Sequence, residues 1–287
     1  MANSMRAIRT RIRSIETTRQ ITLSMRMVSA SKLRRSQLAW NSLKEYDKVS
    51  RDILSGVCTS AKAEKIPLLK AREVRRVCYV LFLGSRGLCG GYNQQLLRFA
   101  RAMLDADSRE KELVVVGRWG REQVTQLHQE VLRRFDAFGD TPNSEEGREL
   151  ADFLLQHYLD GACDEIVLVY QQFISVLTQE PTSLKLLPMQ PKESAATTRD
   201  LIFEPDAETL LQKLSDLVLH NAVYAAMLEA QTGEHAARMT AMTAATDNTE
   251  ELIAKLSLEL NHARQSAITT EISEIVGGAN ALETKER

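Results

Sequence analysis

DAETLLQKLSDLVLHNAVYAAMLEAQTGEHAARMTAMTAATDNTEELIAKLSLELNHARQSAITTEISEIV, residues 206–276, contains no proline and a single glycine, Gly233. Gly and Pro are the residues that end helices, so their scarcity permits one very long helix here. The other end of the chain reads the same way, with no glycine before Gly56 and no proline before Pro67. At ~1.5 Å per residue, about 55 helical residues make a rod of roughly 80 Å and about 70 make one over 100 Å. Apart from Gly277 and Gly278, just past residue 276, the remaining breakers fall between these two ends.

Both ends carry apolar seams. Met5, Ile8, Ile12 and Ile15 step by three, four and three, as in a coiled coil. Ile21, Met25 and Val28 then suggest a shifted seam, which would break a strict heptad. Leu210, Leu214 and Leu217, and later Leu252, Leu256, Leu260, Ala263 and Ala267, repeat the spacing. Alanines between them allow a neighbouring helix to come close. The charges are complementary. Residues 1–60 hold 12 Lys or Arg against 4 Asp or Glu, a net of +8, and residues 206–287 hold 6 against 13, a net of -7. An antiparallel coiled coil of residues 1–57 with 206–282 is therefore expected, followed by a charged tail, 283–287. A basic amphipathic helix can also bind nucleic acid or a membrane surface. The acidic partner in the same chain argues against both.

The middle changes period. VRRVCYVLFLG (74–84), KELVVVG (111–117) and DEIVLVY (164–170) read as strands. YNQQLLRFARAMLDA (92–106), GREQVTQLHQEVLRRF (120–135) and SEEGRELADFLLQHYL (144–159) read as helices between them. FISVLTQEPTSLKLLPMQP (173–191) reads as an edge hairpin. The alternation predicts an α/β domain over 74–200, a Rossmann-like parallel sheet inserted between the two long terminal helices.

The composition excludes several function classes. The whole chain has a formal net charge of -1, which singles out no polyanionic or polycationic partner. No run approaches the ~20 apolar residues that span a bilayer. MANSMRAIRTRIRSIE lacks the apolar core of a signal peptide. Cys58, Cys78, Cys89 and Cys163 are too widely spaced in sequence for a C-x-x-C zinc or redox motif and read as reduced thiols. The histidines have no H-E-x-x-H spacing, and His128 and His157 fall in helical patterns as surface or packing residues. No nucleophile elbow is present. GSRGLCGGYN (84–93) is the one stretch that suggests chemistry, a glycine turn between strand and helix where a phosphate could be cradled. It fits neither G-x-G-x-x-G nor a P-loop. A nucleotide-binding Rossmann-like protein with coiled-coil oligomerisation arms stays open as the alternative to a purely structural turn.

Several stretches carry a resemblance. TTRQITLSMRMVSASKLRRSQ (17–37), GSRGLCGGYN (84–93), IFEPD (202–206), EHAARMTAMTAATDNTEELI (234–253) and LNHARQSAITTEISEIVGGANAL (260–282) are similar, in order, to the gamma subunits of F-type ATP synthases. The resemblance implies a rotor shaft with no catalytic site and no cofactor. Its implied partners are the alpha and beta subunits, the epsilon subunit and the c-subunit ring. Its implied place is the cytoplasmic face of a bacterial membrane, peripheral and attached only through the complex. It implies that the glycine turn is structural. It places Met25, Arg238, Arg264, Gln265, Thr269 and Glu271 at beta-subunit contacts, with Arg238 and Gln265 facing outward. Phe203 and Glu204 fall where the c ring and epsilon would meet the foot. Leu23 stands where the family usually has lysine beside Met25, and no chloroplast-type regulatory cysteine insertion is present.

Overall fold

A computed structural model describes residues 2–60, 66–136, 142–190, 204 and 206–283. The two breaker-poor ends form helices α1 (Ala2–Ser60) and α5 (Ala207–Glu283). Phe203 and the tail residues 284–287 lie outside the described residues. Among the described residues, no helix is long and apolar enough to cross a membrane. The chain divides into two compact units, Met1–Val28 with Ala241–Arg287, and Ser29–Thr240.

In the first unit α1 and α5 run antiparallel: Arg19 meets Glu250 at 3.4 Å, and Thr246 Oγ1 donates to Thr22 Oγ1 at 3.0 Å. Contrary to the shift to Ile21, Met25 and Val28 that the apolar pattern suggests, the seam keeps its register after Ile15. Met5, Ile8, Ile12 and Ile15 are half-buried, and the next inward position is Thr22, which is buried. Ile21, Val28 and Leu252 are exposed. On α5 the inward residues are Met242, Thr246, Thr249, Ile253, Leu256, Leu260, Ala263, Ala267 and Thr270, an unbroken alternation of four- and three-residue steps. The physical reason is size. Thr22 satisfies its own hydroxyl on the Arg19 carbonyl, so it can enter a tight seam as a small side chain. Charge complementarity contributes less. Arg19 and Glu250 are both about half-exposed, a setting worth only ~0.2–1 kcal/mol. Burying one leucine such as Leu256 is worth ~1.5–3 kcal/mol.

In the second unit the heptad of α1 continues through Ser29, Leu33, Ser36, Ser50, Leu54 and Val57, all buried. Five strands form one sheet: β1 (Arg76–Phe82), β2 (Glu110–Val116), β3 (Glu130–Phe135), β4 (Glu165–Phe173) and β5 (Gln179–Leu187). Their order is β3-β2-β1-β4-β5, all parallel except β5, which pairs antiparallel with β4 as the edge hairpin. One face packs Val77, Tyr79, Leu81, Leu113 and Val115 on Leu96, Ala100 and Leu104 of α2 (Tyr92–Ala106). The other packs Val80, Phe82, Val114, Ile166 and Leu168 with α4 (Ser144–Leu159) and with α5. Burial on both faces explains why β1, β2 and β4 read as continuous apolar runs rather than alternating ones.

Two features depart from the sequence reading. Residues 120–135 are not one helix. A short helix α3 (Arg121–Thr125) stops before His128, whose φ of 53° is left-handed, and EVLRRF becomes the edge strand β3. The open edge of β2 supplies backbone partners, and Phe135 gains a buried place against Phe153, so tertiary pairing overrides the helical pattern. Secondly, α5 does not merely flank the domain. Every residue from Ala225 to Ala236 except Gln231 is buried, as expected only of a helix packed on all sides. Gly147 of α4 permits part of this, because a Cβ there would lie 2.9 Å from Tyr224 of α5. Helix α4 itself starts at a reciprocal cap, with Asn143 accepting from the Glu146 amide at 2.8 Å and Glu146 accepting from the Asn143 amide at 2.9 Å.

Candidate functional site

The glycine turn leaves β1 and enters α2, the position where a parallel sheet would bind a phosphate. Its amides are already occupied by the chain itself. Gly84 N donates to Asn93 Oδ1 at 2.8 Å. Ser85 N and Arg86 N donate to the Glu234 carboxylate of α5, at 3.1 and 3.3 Å. A carboxylate is the natural anion for two adjacent amides at such a turn. Arg238, one helical turn further along α5, closes the arrangement. Its guanidinium donates to Gly87 O at 3.2 Å and Arg86 O at 3.1 Å, lies 3.3 Å from His235 Nδ1, and pairs directly with Glu234. Both side chains of the pair are only 7% exposed.

The turn is locked from other sides too. Tyr92 donates its hydroxyl to Ala230 O at 2.5 Å, and Gln171 Nε2 donates to Tyr92 O at 3.0 Å. Gly233 explains the only glycine inside the helical part of α5 up to Val276: a Cβ there would lie 3.2 Å from the Tyr92 ring. Burial pushes the Cys89 thiol above its ordinary pKa, which suits a packing residue rather than a nucleophile. Beside the same stretch of α5, the Glu229 carboxylate accepts from Phe173 N at 3.2 Å. Burial raises its pKa to about 7, against the opposing pull of the Phe173 amide, the Tyr170 hydroxyl and Lys44.

Space for a ligand is correspondingly small. The cavity at the turn, lined by Leu83, Ser85, Gly117, Pro142 and Glu234 among others, holds about 40 Å³. Ligand pockets run to ~300–1,000 Å³. A larger cavity of about 350 Å³ opens beside Lys48, Arg51, Lys185 and Met189. Two of its cations are committed, Arg51 to Asp47 at 2.7 Å and Lys185 to Glu165 at 2.5 Å.

The residues expected at partner contacts separate into two groups. Arg264, Gln265, Thr269 and Glu271 are exposed on α5, with Thr269 donating only to the Gln265 carbonyl of its own helix at 3.0 Å. Glu204 is exposed and Met25 is half-buried on α1. Arg238 does not face outward as expected. It is buried, because Glu234 and the carbonyls of Arg86 and Gly87 offer its guanidinium a complete set of acceptors inside the chain. Glu234 went unread because a Glu–Arg pair four residues apart on a helix normally marks a solvated face. The available signal was the adjacent isolated Gly233, which in a helix points to close approach of another group.

Such an arrangement defines a class of protein, an α/β domain threaded by a long helix that also forms a two-helix coiled coil, with its phosphate-type turn closed from within. A family model described as ATP synthase matches residues 4–282. The chain is 42% identical over 282 residues to the ATP synthase gamma chain of Desulforamulus reducens, covering 98% of this chain and 99% of that one. It is 40% identical, over the same shares, to that of Pelotomaculum thermopropionicum. The fold is similar to a chain in the OSCP/F1/c-ring structure of the Euglena gracilis mitochondrial ATP synthase, with a TM-score of 0.68 at 17% identity, covering 100% of this chain and 97% of that one. It is also similar to a chain of the Tetrahymena thermophila central stalk and c-ring, with a TM-score of 0.60 at 22% identity over 78% of this chain and 99% of that one. The chain belongs to the ATP synthase gamma chain family.

Proposed function

We propose that this chain is the central rotor shaft of an F-type ATP synthase, without a catalytic site or cofactor of its own. In this reading, ion flow turns the c ring, the chain turns with it, and its asymmetric coiled coil drives the beta-subunit sites in turn through different nucleotide affinities. This is a coupling of distant sites through contacts that differ between states. The observation that carries the reading is the match to ATP synthase gamma chains over 98% of this chain, with the ATP synthase family model covering residues 4–282. The two continuous heptad seams supply the physical means, since a paired helix can bear on a partner where a single one would bend. Arg264, Gln265, Thr269 and Glu271, exposed on α5, and Met25 on α1 are the proposed beta-subunit contacts. Phe203 and Glu204 are proposed to meet epsilon and the c ring. The complex would hold the chain peripherally at the cytoplasmic face of a bacterial membrane.

The test is co-expression with the alpha, beta and epsilon subunits of the same enzyme. A stable complex with ATPase activity that depends on this chain is expected. A chain that fails to co-purify with alpha and beta, or whose omission leaves ATPase unchanged, would overturn the proposal. The nucleotide-binding alternative is disfavoured by the occupied amides of Ser85 and Arg86. Calorimetry on the full chain would revive it by finding a stoichiometric micromolar site for ATP or ADP.

A further inference from the structure

Near the start of β1, three side chains of unlike chemistry converge on the α4 face of the sheet. Cys78 Sγ, a carboxylate oxygen of Glu112 and a ring nitrogen of His157 all lie within 4.8 Å of one another. The topology builds this group. Cys78 and Glu112 are register partners on the parallel strands β1 and β2, so they leave the same face of the sheet. Helix α4 buries Leu150, Leu154 and Tyr158 against that face and brings His157 over the pair. The His157 Nε2 contacts Glu112 Oε1 directly, and the Phe153 ring stacks on the imidazole at 6.0 Å between centroids. His157 and Glu112 side chains are 14% and 13% exposed, so the group touches solvent at its outer side while Cys78 is fully buried beneath.

A thiol, an imidazole and a carboxylate are the donor set of zinc-class sites. With metal–donor bonds of ~2.0–2.3 Å, tetrahedral donors stand about 3.3–3.8 Å apart. Rotation of the His157 and Glu112 side chains would separate those two groups by the extra distance and draw the sulfur nearer. We propose that Cys78, Glu112 and His157 form a binding site for a thiophilic divalent cation of the zinc class, with solvent completing its coordination. Binding displaces waters from the cation, and the Cys78 thiol releases its proton to solvent as the thiolate forms, with no change of oxidation state. An occupied site would cross-link β1, β2 and α4 on the side of the domain away from the glycine turn.

The experiment uses the purified, reduced full chain, stripped with chelator and titrated with Co²⁺, followed by competition with Zn²⁺. Expected are one equivalent bound, a near-ultraviolet thiolate-to-cobalt charge-transfer band, and visible ligand-field bands of tetrahedral intensity that Zn²⁺ removes. Cys78→Ser should abolish the charge-transfer band. His157→Gln and Glu112→Gln should keep it but weaken affinity by about 100-fold, since even outer-shell changes cost about 10- to 100-fold. Both substitutions are at partly solvated positions, so they remain informative if Cys78→Ser fails to fold by circular dichroism. Cys58→Ser should bind as the parent does. Absence of a charge-transfer band at one equivalent, a band that survives Cys78→Ser, or unchanged affinity in both His157→Gln and Glu112→Gln overturns the proposal.

Discussion

Arg238→Ala is expected to destabilise the chain severely, although arginine on a long helix is ordinarily a tolerant position. The substitution removes the cation from a pair whose members are both 7% exposed and leaves the Glu234 carboxylate buried beside two amides. Breaking a buried pair by deleting one partner costs ~3–5 kcal/mol. The carbonyls of Arg86 and Gly87 also lose their donor, which adds to that figure. An exposed position such as Gln265 should shift by less than ~0.5 kcal/mol when changed to Ala. Arg238→Lys should recover only part of the loss, because one ammonium cannot reproduce a planar fork that reaches Glu234 and two carbonyls together. The assay is urea unfolding of the full chain, comparing midpoints at unchanged slope. If Arg238→Ala unfolds within ~0.5 kcal/mol of the parent, as an exposed residue would, the buried clasp is not a stabilising element and the reasoning fails.

Glu229 predicts a pH dependence: its carboxyl, ordinarily near 4.5, is raised to about 7 in the fold, so the native state holds this proton more tightly than the unfolded chain. Its contribution is fully present below about 4.5, falls as pH rises towards 7 and is absent above, a span of about 3–4 kcal/mol at ~1.4 kcal/mol per pH unit. Glu229→Gln should therefore flatten the stability–pH curve between pH 5 and 8, and an unchanged curve would count against the assignment. Gly117→Ala should abolish folding or leave an insoluble chain, because φ is +105° and a Cβ would stand 2.1 Å from Leu83 O; a soluble variant with parental melting refutes this. Deleting residues 283–287 should leave coupled ATP synthesis in reconstituted vesicles intact, whereas truncation after residue 260 should abolish it, since it removes Ala263, Ala267 and Thr270 from the seam along with the exposed Arg264 and Gln265. Equal damage from both truncations would show that the tail bears on a partner.

The legible parts of the fold were those where one local pattern had no competitor. Two breaker-poor ends could be little else but long helices, and the apolar runs of β1, β2 and β4 could only be strands buried on both faces. The seam was misread where it is built of hydroxyl residues. Ser36 and Ser50 return their hydroxyls to the carbonyls of Lys32 and Tyr46, so they behave as small buried side chains while counting as polar in any hydrophobicity pattern. Strand β3 was misread because EVLRRF acquires its strand state from the edge of β2, a partner that is remote in the chain. The clasp was hidden for a related reason: Glu234 and Ser85 are 149 residues apart, and only the fold brings them together. Cys78, Glu112 and His157 have no motif spacing, and it is the register of β1 on β2 that makes them neighbours.

The burial of α5 by the α/β domain has a mechanical consequence. A cylinder held only by apolar side chains can creep about its own axis, because dispersion contacts are weak individually and nearly indifferent to direction. Hydrogen bonds and ion pairs are directional, and here they grip α5 at several azimuths: Ser85 and Arg86 at Glu234, Gly87 at Arg238, Tyr92 at Ala230 and Phe173 at Glu229. Twisting the helix within the domain would strain all of these bonds at once, so the domain acts on α5 as a keyed hub acts on an axle, and torque applied to one is delivered to the other with little slip.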